Sequence, residues 1–187
     1  MGASAPASDA ATEPTAQSTS NSNTEPTTAP TPEAASTVVP VDYGGDDLET
    51  NLVEEDVSQI TLAGDAIVFD GRGATVSGSS IIITSAGTYA ITGTLDDGQV
   101  IVDTVDEETV RLVLNGVSIA SSSSAPIYVA NADKVVITLA DGTENTVTDS
   151  EAYVLADAGT DEPNATIFSH DDLTINGTGS LTVHGNY

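Results

Sequence analysis

The sequence predicts an all-β protein whose strands stack as a parallel β-helix, a solenoid stub on a disordered N-terminal tether. Three observations lead there. Arg111-Leu112-Val113-Leu114-Asn115-Gly116-Val117-Ser118-Ile119 is a run, a tight turn and a second run, and Val135–Gly142 and Asp172–Val183 repeat the pattern. Two further matched segments lie between these runs, Ala125-Pro126-Ile127-Tyr128-Val129 and Ala165-Thr166-Ile167-Phe168-Ser169. The turn positions Asn115, Asp141 and Asn176 stand 26 and 35 residues apart, the second interval falling to 21 once the 14 residues Ser150–Pro163 are set aside. Recurring β-branched runs at such spacing indicate stacked strands with one looped-out insertion. An antiparallel sandwich competes, because Asn-Gly and Asp-Gly also suit two-residue hairpins.

Each segment follows in order. Residues 1 to about 40 are low-complexity Ala, Ser, Thr, Pro, Glu and Gln, hold six of the eight prolines and contain no aromatic residue. Such a stretch cannot bury a core and reads as a tether. Residues 41–56 are acidic and lead into the fold, so the linker is drawn over 1–55 and the folded domain over 56–187. Gln59–Asp70 reads as two short strands broken at Gly64-Asp65. Ala74–Ser77, Ser80–Thr84, Gly87–Gly93 and Gln99–Asp103 follow, the last after the Asp96-Asp97-Gly98 turn. No segment longer than ten residues has a 3.6-residue apolar period, so helix is expected to be scarce, at most one turn within Ser150–Gly159.

Composition excludes several classes of partner. The formal charge is −26, with 29 acidic residues against three basic ones, Arg72, Arg111 and Lys134. A chain so poor in Lys and Arg cannot neutralise phosphates, so nucleic acid is excluded as a partner. There is no cysteine, hence no disulfide, thiol nucleophile or cysteine metal site. No apolar run reaches the roughly 18 residues that span a bilayer, so no membrane insertion is expected. The Ser/Thr/Pro-rich tether suits a domain held away from a bacterial cell surface. The expected location is extracellular, with a secretion signal already removed.

The segments "ITSAGTYAITGTLDDGQVIVD", "VRLVLNGVSI", "APIYVANADKVVITLADGTENTVTD" and "NATIFSHDDLTINGTGSLTVHGNY" resemble those of a secreted carbohydrate-binding family related in fold to polysaccharide lyases. The resemblance covers about residues 56–187. It implies a right-handed parallel β-helix, here the N-terminal part of a longer solenoid. It also implies binding of cellulose-like and acidic plant polysaccharides, and of calcium.

The residues bear on each of these. A β-elimination lyase needs a base, often Arg or Lys, and a cation to neutralise the substrate carboxylate; Arg72, Arg111 and Lys134 are the only candidates and read more plainly as scattered surface charges, so no catalytic residue is assigned and the lyase stays an alternative. Carboxylate pairs such as Asp96/Asp97 and Asp171/Asp172 could serve a glycosidase, but an acidic surface produces them freely. Calcium takes six to eight oxygen ligands, and Asp149, Asp161, Asn164, Asp171 and Asp172 around the insertion are its candidate ligands, against the plainer reading of a solvated acidic surface. Sugars stack on aromatic faces, so Tyr128 and Tyr153, with Lys134, are the candidate carbohydrate contacts. The reading is a non-catalytic polysaccharide-binding protein, calcium-assisted. A structural or adhesive protein that associates end to end is the other alternative.

Overall fold

The protein is described here from a computed structural model that covers residues 43–50, 56–155 and 161–187. Most of the tether assigned to 1–55 lies outside those residues. Among the described residues the chain forms a one-turn helix, α1 (Gly45–Leu48), and thirteen strands. These are β1 (Ser58–Gly64), β2 (Ala66–Asp70), β3 (Ala74–Ser77), β4 (Ser80–Ile83), β5 (Gly87–Leu95), β6 (Gln99–Asp103) and β7 (Val110–Ala120). The series continues with β8 (Ile127–Asn131), β9 (Lys134–Leu139), β10 (Glu144–Thr148), β11 (Ile167–Ser169), β12 (Asp172–Gly177) and β13 (Ser180–His184).

The strands form two sheets. Sheet A has eight strands, ordered β12-β9-β7-β5-β1-β2, with β10 pairing β7 and β13. Sheet B has five, ordered β11-β8-β6-β4-β3. The all-β expectation holds, but the right-handed parallel β-helix is overturned. Both sheets are mixed, and no closed solenoid forms among the described residues. The runs that suggested coils do pair in parallel, Leu112 opposite Ile137 and Ile137 opposite Ile175. The first four strands depart from that pattern: β1 and β2 are antiparallel, and so are β3 and β4. The cause is local. Gly64-Asp65 and Gly78-Ser79 are two-residue turns with Gly64 at φ +71° and Gly78 at +61°, a conformation glycine enters without strain. Asn115-Gly116, read from the sequence as a turn, lies instead inside β7, beside a register shift between Ile91 and Gly93 of β5.

Period-two alternation builds the core. The inward residues of sheet A form one ladder Tyr89–Leu112–Ile137 and another Ile60–Ile91–Leu114, all fully buried. Sheet B contributes the ladder Ile81–Val100–Ile127 and, beside it, Ile83–Val102–Val129. Truncating such a side chain to Ala costs about 2–5 kcal/mol. The ladders thin out at the last strands. Ile175, which continues Tyr89–Leu112–Ile137, is 48% exposed, and Val183, opposite buried Val147, is 47% exposed. No described helix is long and apolar enough to cross a membrane.

Candidate glycan-binding face

The alternation that sends Ile127 and Val129 into the core turns Tyr128 outward. Its neighbours across sheet B are in register: Thr75 opposite Ile82, Ile82 opposite Ile101, Ile101 opposite Tyr128, and Tyr128 opposite Phe168. At about 4.8 Å between strands, the four large side chains make an apolar stripe roughly 14 Å long at right angles to the strands. Ile82, Ile101, Tyr128 and Phe168 are all partly exposed. The stripe ends in an aromatic group. The Tyr128 and Phe168 rings lie 6.0 Å apart, and His170 meets Phe168 edge-on at 5.0 Å and Tyr128 at 6.0 Å. His170 Nε2 is 3.8 Å from the Glu162 carboxylate. Gln99 and Asp103, on the same face of β6, flank Ile101 with polar groups. Flat aromatic and aliphatic surface edged by hydrogen-bonding groups suits the apolar faces and equatorial hydroxyls of an extended sugar chain.

The other expected sugar contacts are engaged elsewhere. Tyr153 stacks on Tyr187 with centroids 4.2 Å apart, and its hydroxyl donates to Asp149 at 2.8 Å. Burial and the neighbouring Asp149 carboxylate push the Tyr153 hydroxyl above the usual tyrosine range. Lys134 Nζ is 2.6 Å from Asp47, and its side chain is only 21% exposed. Phe168 and His170, which stand beside Tyr128 on this face, are not among the sugar contacts expected from sequence. The matching repeat positions of Tyr128 and Phe168 mark them as neighbours already in the sequence.

The five expected calcium ligands fall into two groups. Asp149 is a buried hydrogen-bond hub. Burial pushes its carboxyl up, but donation from the Asn186 N–H, the Tyr153 hydroxyl and the Thr166 hydroxyl outweighs this and holds it below the ordinary range. Asn164 shares with Asp149 a hollow of about 370 Å³. Asp161 lies within 3.4 Å of the hydroxyl of Tyr187, which also lines that hollow. Asp171 accepts from the Ala132 N–H at 2.8 Å, and Asp172 lines a groove beside Lys134. Among the described residues no three Asp, Glu or His side chains converge as metal ligands. The donor set therefore does not fit a preformed calcium cage of six to eight oxygens.

The chain's cations are all paired. Arg72 meets Asp56 at 3.0 Å on the open surface. Arg111 donates to the Asp46 and Glu49 carbonyls and to the Thr138 hydroxyl. Lys134 holds Asp47, whose carboxyl is lowered to about 2 chiefly by that contact and by the Thr174 hydroxyl.

The described residues thus form two mixed β-sheets, one of which carries a solvent-facing apolar stripe. The family model of carbohydrate-binding domain-containing proteins matches residues 77–187, more than half of the chain, and the chain belongs to that family. A carbohydrate-binding domain-containing protein of Acetivibrio thermocellus is 48% identical over 115 residues, covering 62% of this chain and 40% of the relative. A solved structure of the polysaccharide lyase-like protein from C. thermocellum, a gadolinium derivative, is 44% identical with a TM-score of 0.67. That match covers 70% of this chain and 53% of the solved one. The chain thus spans roughly half or less of the length of these relatives.

Proposed function

We propose that this protein is a non-catalytic polysaccharide-binding protein that acts outside the cell and holds an extended, uncharged β-linked glycan along the outer face of sheet B. The in-register stripe Ile82–Ile101–Tyr128–Phe168 carries the reading. Family membership supports carbohydrate as the ligand class. The non-catalytic part is supported by the three cations, each already committed to a carboxylate or carbonyl partner. The test is calorimetry of the full chain with a soluble β-1,4-glucan oligomer. Tyr128→Ala and Phe168→Ala should each weaken binding about tenfold, the loss of one well-packed aromatic contact. Wild-type affinity in both variants contradicts the assignment. Repeating the titration in calcium and in chelator reads whether an ion bridges protein and sugar. Accumulation of an unsaturated product from an acidic glycan favours the lyase.

The open end of the core supports a second reading, end-to-end association of a surface protein. Half-exposed Ile175 and Val183 stand where equivalent positions on the preceding strands are buried, and unpaired strand edges invite pairing. A concentration-dependent mass in light scattering, abolished by Ile175→Lys, supports it; a monomer at all concentrations does not.

A further inference from the structure

At its Phe168 end the stripe on sheet B changes character. The aliphatic side chains Ile82 and Ile101 give way to three aromatic rings, Tyr128, Phe168 and His170, and to a carboxylate. The backbone places the rings. Tyr128 and Phe168 are in register on the neighbouring strands β8 and β11. The His170 N–H donates to the Val129 carbonyl at 3.1 Å, which holds the residue after β11 against β8. No two of these rings stack face to face. Phe168 and His170 meet at 80°, Tyr128 and His170 at 62°, and Tyr128 and Phe168 at 54°. Rings so inclined turn their faces in different directions, and all three residues are at least partly open to solvent.

The carboxylate is that of Glu162. Its side chain is 54% exposed and lies 3.8 Å from His170 Nε2, beyond hydrogen-bond distance. Among the described residues no Lys or Arg reaches it. Arg72 is held by Asp56, Lys134 by Asp47, and Arg111 by the carbonyls of Asp46 and Glu49. Asp103 brings a second, exposed carboxylate to the same face of the sheet, beside Ile101. The chain as a whole carries a formal charge of −26. Ring faces are negative, and a carboxylate at their edge adds to that potential. Such a corner attracts an organic cation, by cation–π and Coulomb attraction together. A neutral sugar hydroxyl gains little from either, and a sugar carboxylate is repelled.

We propose that Tyr128, Phe168, His170 and Glu162 form a subsite for an amino sugar, so that the glycan held on sheet B carries a free, protonated amine at this end of the stripe. The ammonium group sits against the ring faces with Glu162 as its counter-ion. Neutral residues of the same polymer continue along Ile101 and Ile82. This rests on the glycan reading of the sheet B face and adds to it a substrate class, β-linked polymers that contain amino sugars.

The experiment is calorimetry of the full chain with β-1,4-linked oligomers of equal length, made of glucosamine, of N-acetylglucosamine or of glucose, at a pH where the glucosamine amines are protonated. The glucosamine oligomer should bind about tenfold more tightly than the N-acetylated one, in which acetylation removes the charge. In Glu162→Gln, a change of nearly equal shape at an exposed position, the two affinities should become nearly equal. Equal affinities in the wild-type chain overturn the subsite. A preference for glucosamine that survives Glu162→Gln or Phe168→Ala overturns it too, because attraction to the acidic chain as a whole then accounts for it. Choline probes the other source of an organic ammonium group. It should compete with the glucosamine oligomer no better than free glucosamine does, and stronger competition by choline overturns the sugar assignment. Glucan binding without any preference for glucosamine sinks this subsite alone. A wild-type chain that binds none of the oligomers sinks the reading of the sheet B face and this subsite with it.

Discussion

On sheet A the outward side chains Arg111, Lys134, Thr174 and Asn176 bond to residues 46–49, and Val113, Val136 and Thr138 on the same face are buried. On sheet B the outward side chains of β4, β6, β8 and β11 remain partly exposed. The same period-two alternation builds both faces, so the difference lies in what each row presents. Sheet A presents Arg111, Lys134, Thr174 and Asn176, donors on a chain with 29 acidic residues. Such a face attracts the chain's own carboxylates and carbonyls. Sheet B presents Ile82, Ile101, Tyr128 and Phe168, which offer nothing to an acidic segment. In this chain the donor face is bonded to an acidic segment of the same chain, and the apolar face of sheet B stays partly open to solvent.

The largest expected effect separates the faces by binding. Tyr128→Ala combined with Phe168→Ala should weaken glucan binding roughly 100-fold, two contacts of about tenfold each. The cooperative thermal transition should persist, because both rings sit outside the inward ladders. Calorimetry together with a melting curve reads both, and undiminished glucan affinity would make the two faces equivalent.

Next in size is the hold of residues 43–50. Arg111→Met removes donors from the Asp46 and Glu49 carbonyls and from the Thr138 hydroxyl. A loss of about 1–2 kcal/mol in denaturant unfolding is expected. Amides 44–50 should exchange faster and glucan binding should stay as it was. Weaker glucan binding in this variant would mean that the two faces are coupled.

Acid should sharpen the contrast further. The Asp47 carboxyl is lowered from 3.8 to about 2, so the stabilisation it provides is complete above the unfolded value and lost as pH falls through the folded one. The contact of 43–50 with sheet A should therefore be unchanged between pH 7 and 5 and should open only as pH approaches 2. NMR shifts of Thr174 and Asn176 report it directly; a midpoint near pH 4 would mean that Lys134 and Thr174 do not hold the carboxylate.

The smallest effect is at Arg72. Its ion pair with Asp56 has both side chains more than four-fifths exposed. Arg72→Ala should change stability by less than about 0.5 kcal/mol and leave glucan binding as it was. A larger change in the melting curve would show that exposed pairs matter in this fold.

Much of the strand pattern was legible in the sequence, because alternation and turn chemistry are local. Gly64-Asp65 was read as a break between strands, and it is the tip of the β1–β2 hairpin. The strand directions were not legible. A two-residue turn returns the chain antiparallel, while the Asn115-Gly116 bend carries it onward, and both contain a glycine at positive φ. The site was half legible. Tyr128 and Phe168 share a repeat position, but period alone does not tell an inward ladder from an outward one; the flanking Ile127 and Val129, fully buried, settle the side. The covering of sheet A was not legible. The contacts of Asp46 and Asp47 with Arg111, Lys134 and Thr174 join positions more than sixty residues apart, and residues 43–50 were assigned to the linker.

The most direct test of the sheet B face is a residue-resolved NMR titration of the full chain with a β-1,4-glucan oligomer. Saturable shifts confined to Ile82, Ile101, Tyr128, Phe168 and His170, with Thr174 and Asn176 unmoved, are the expected result. Shifts that gather on β7, β9 and β12 and leave Tyr128 and Phe168 untouched would contradict it.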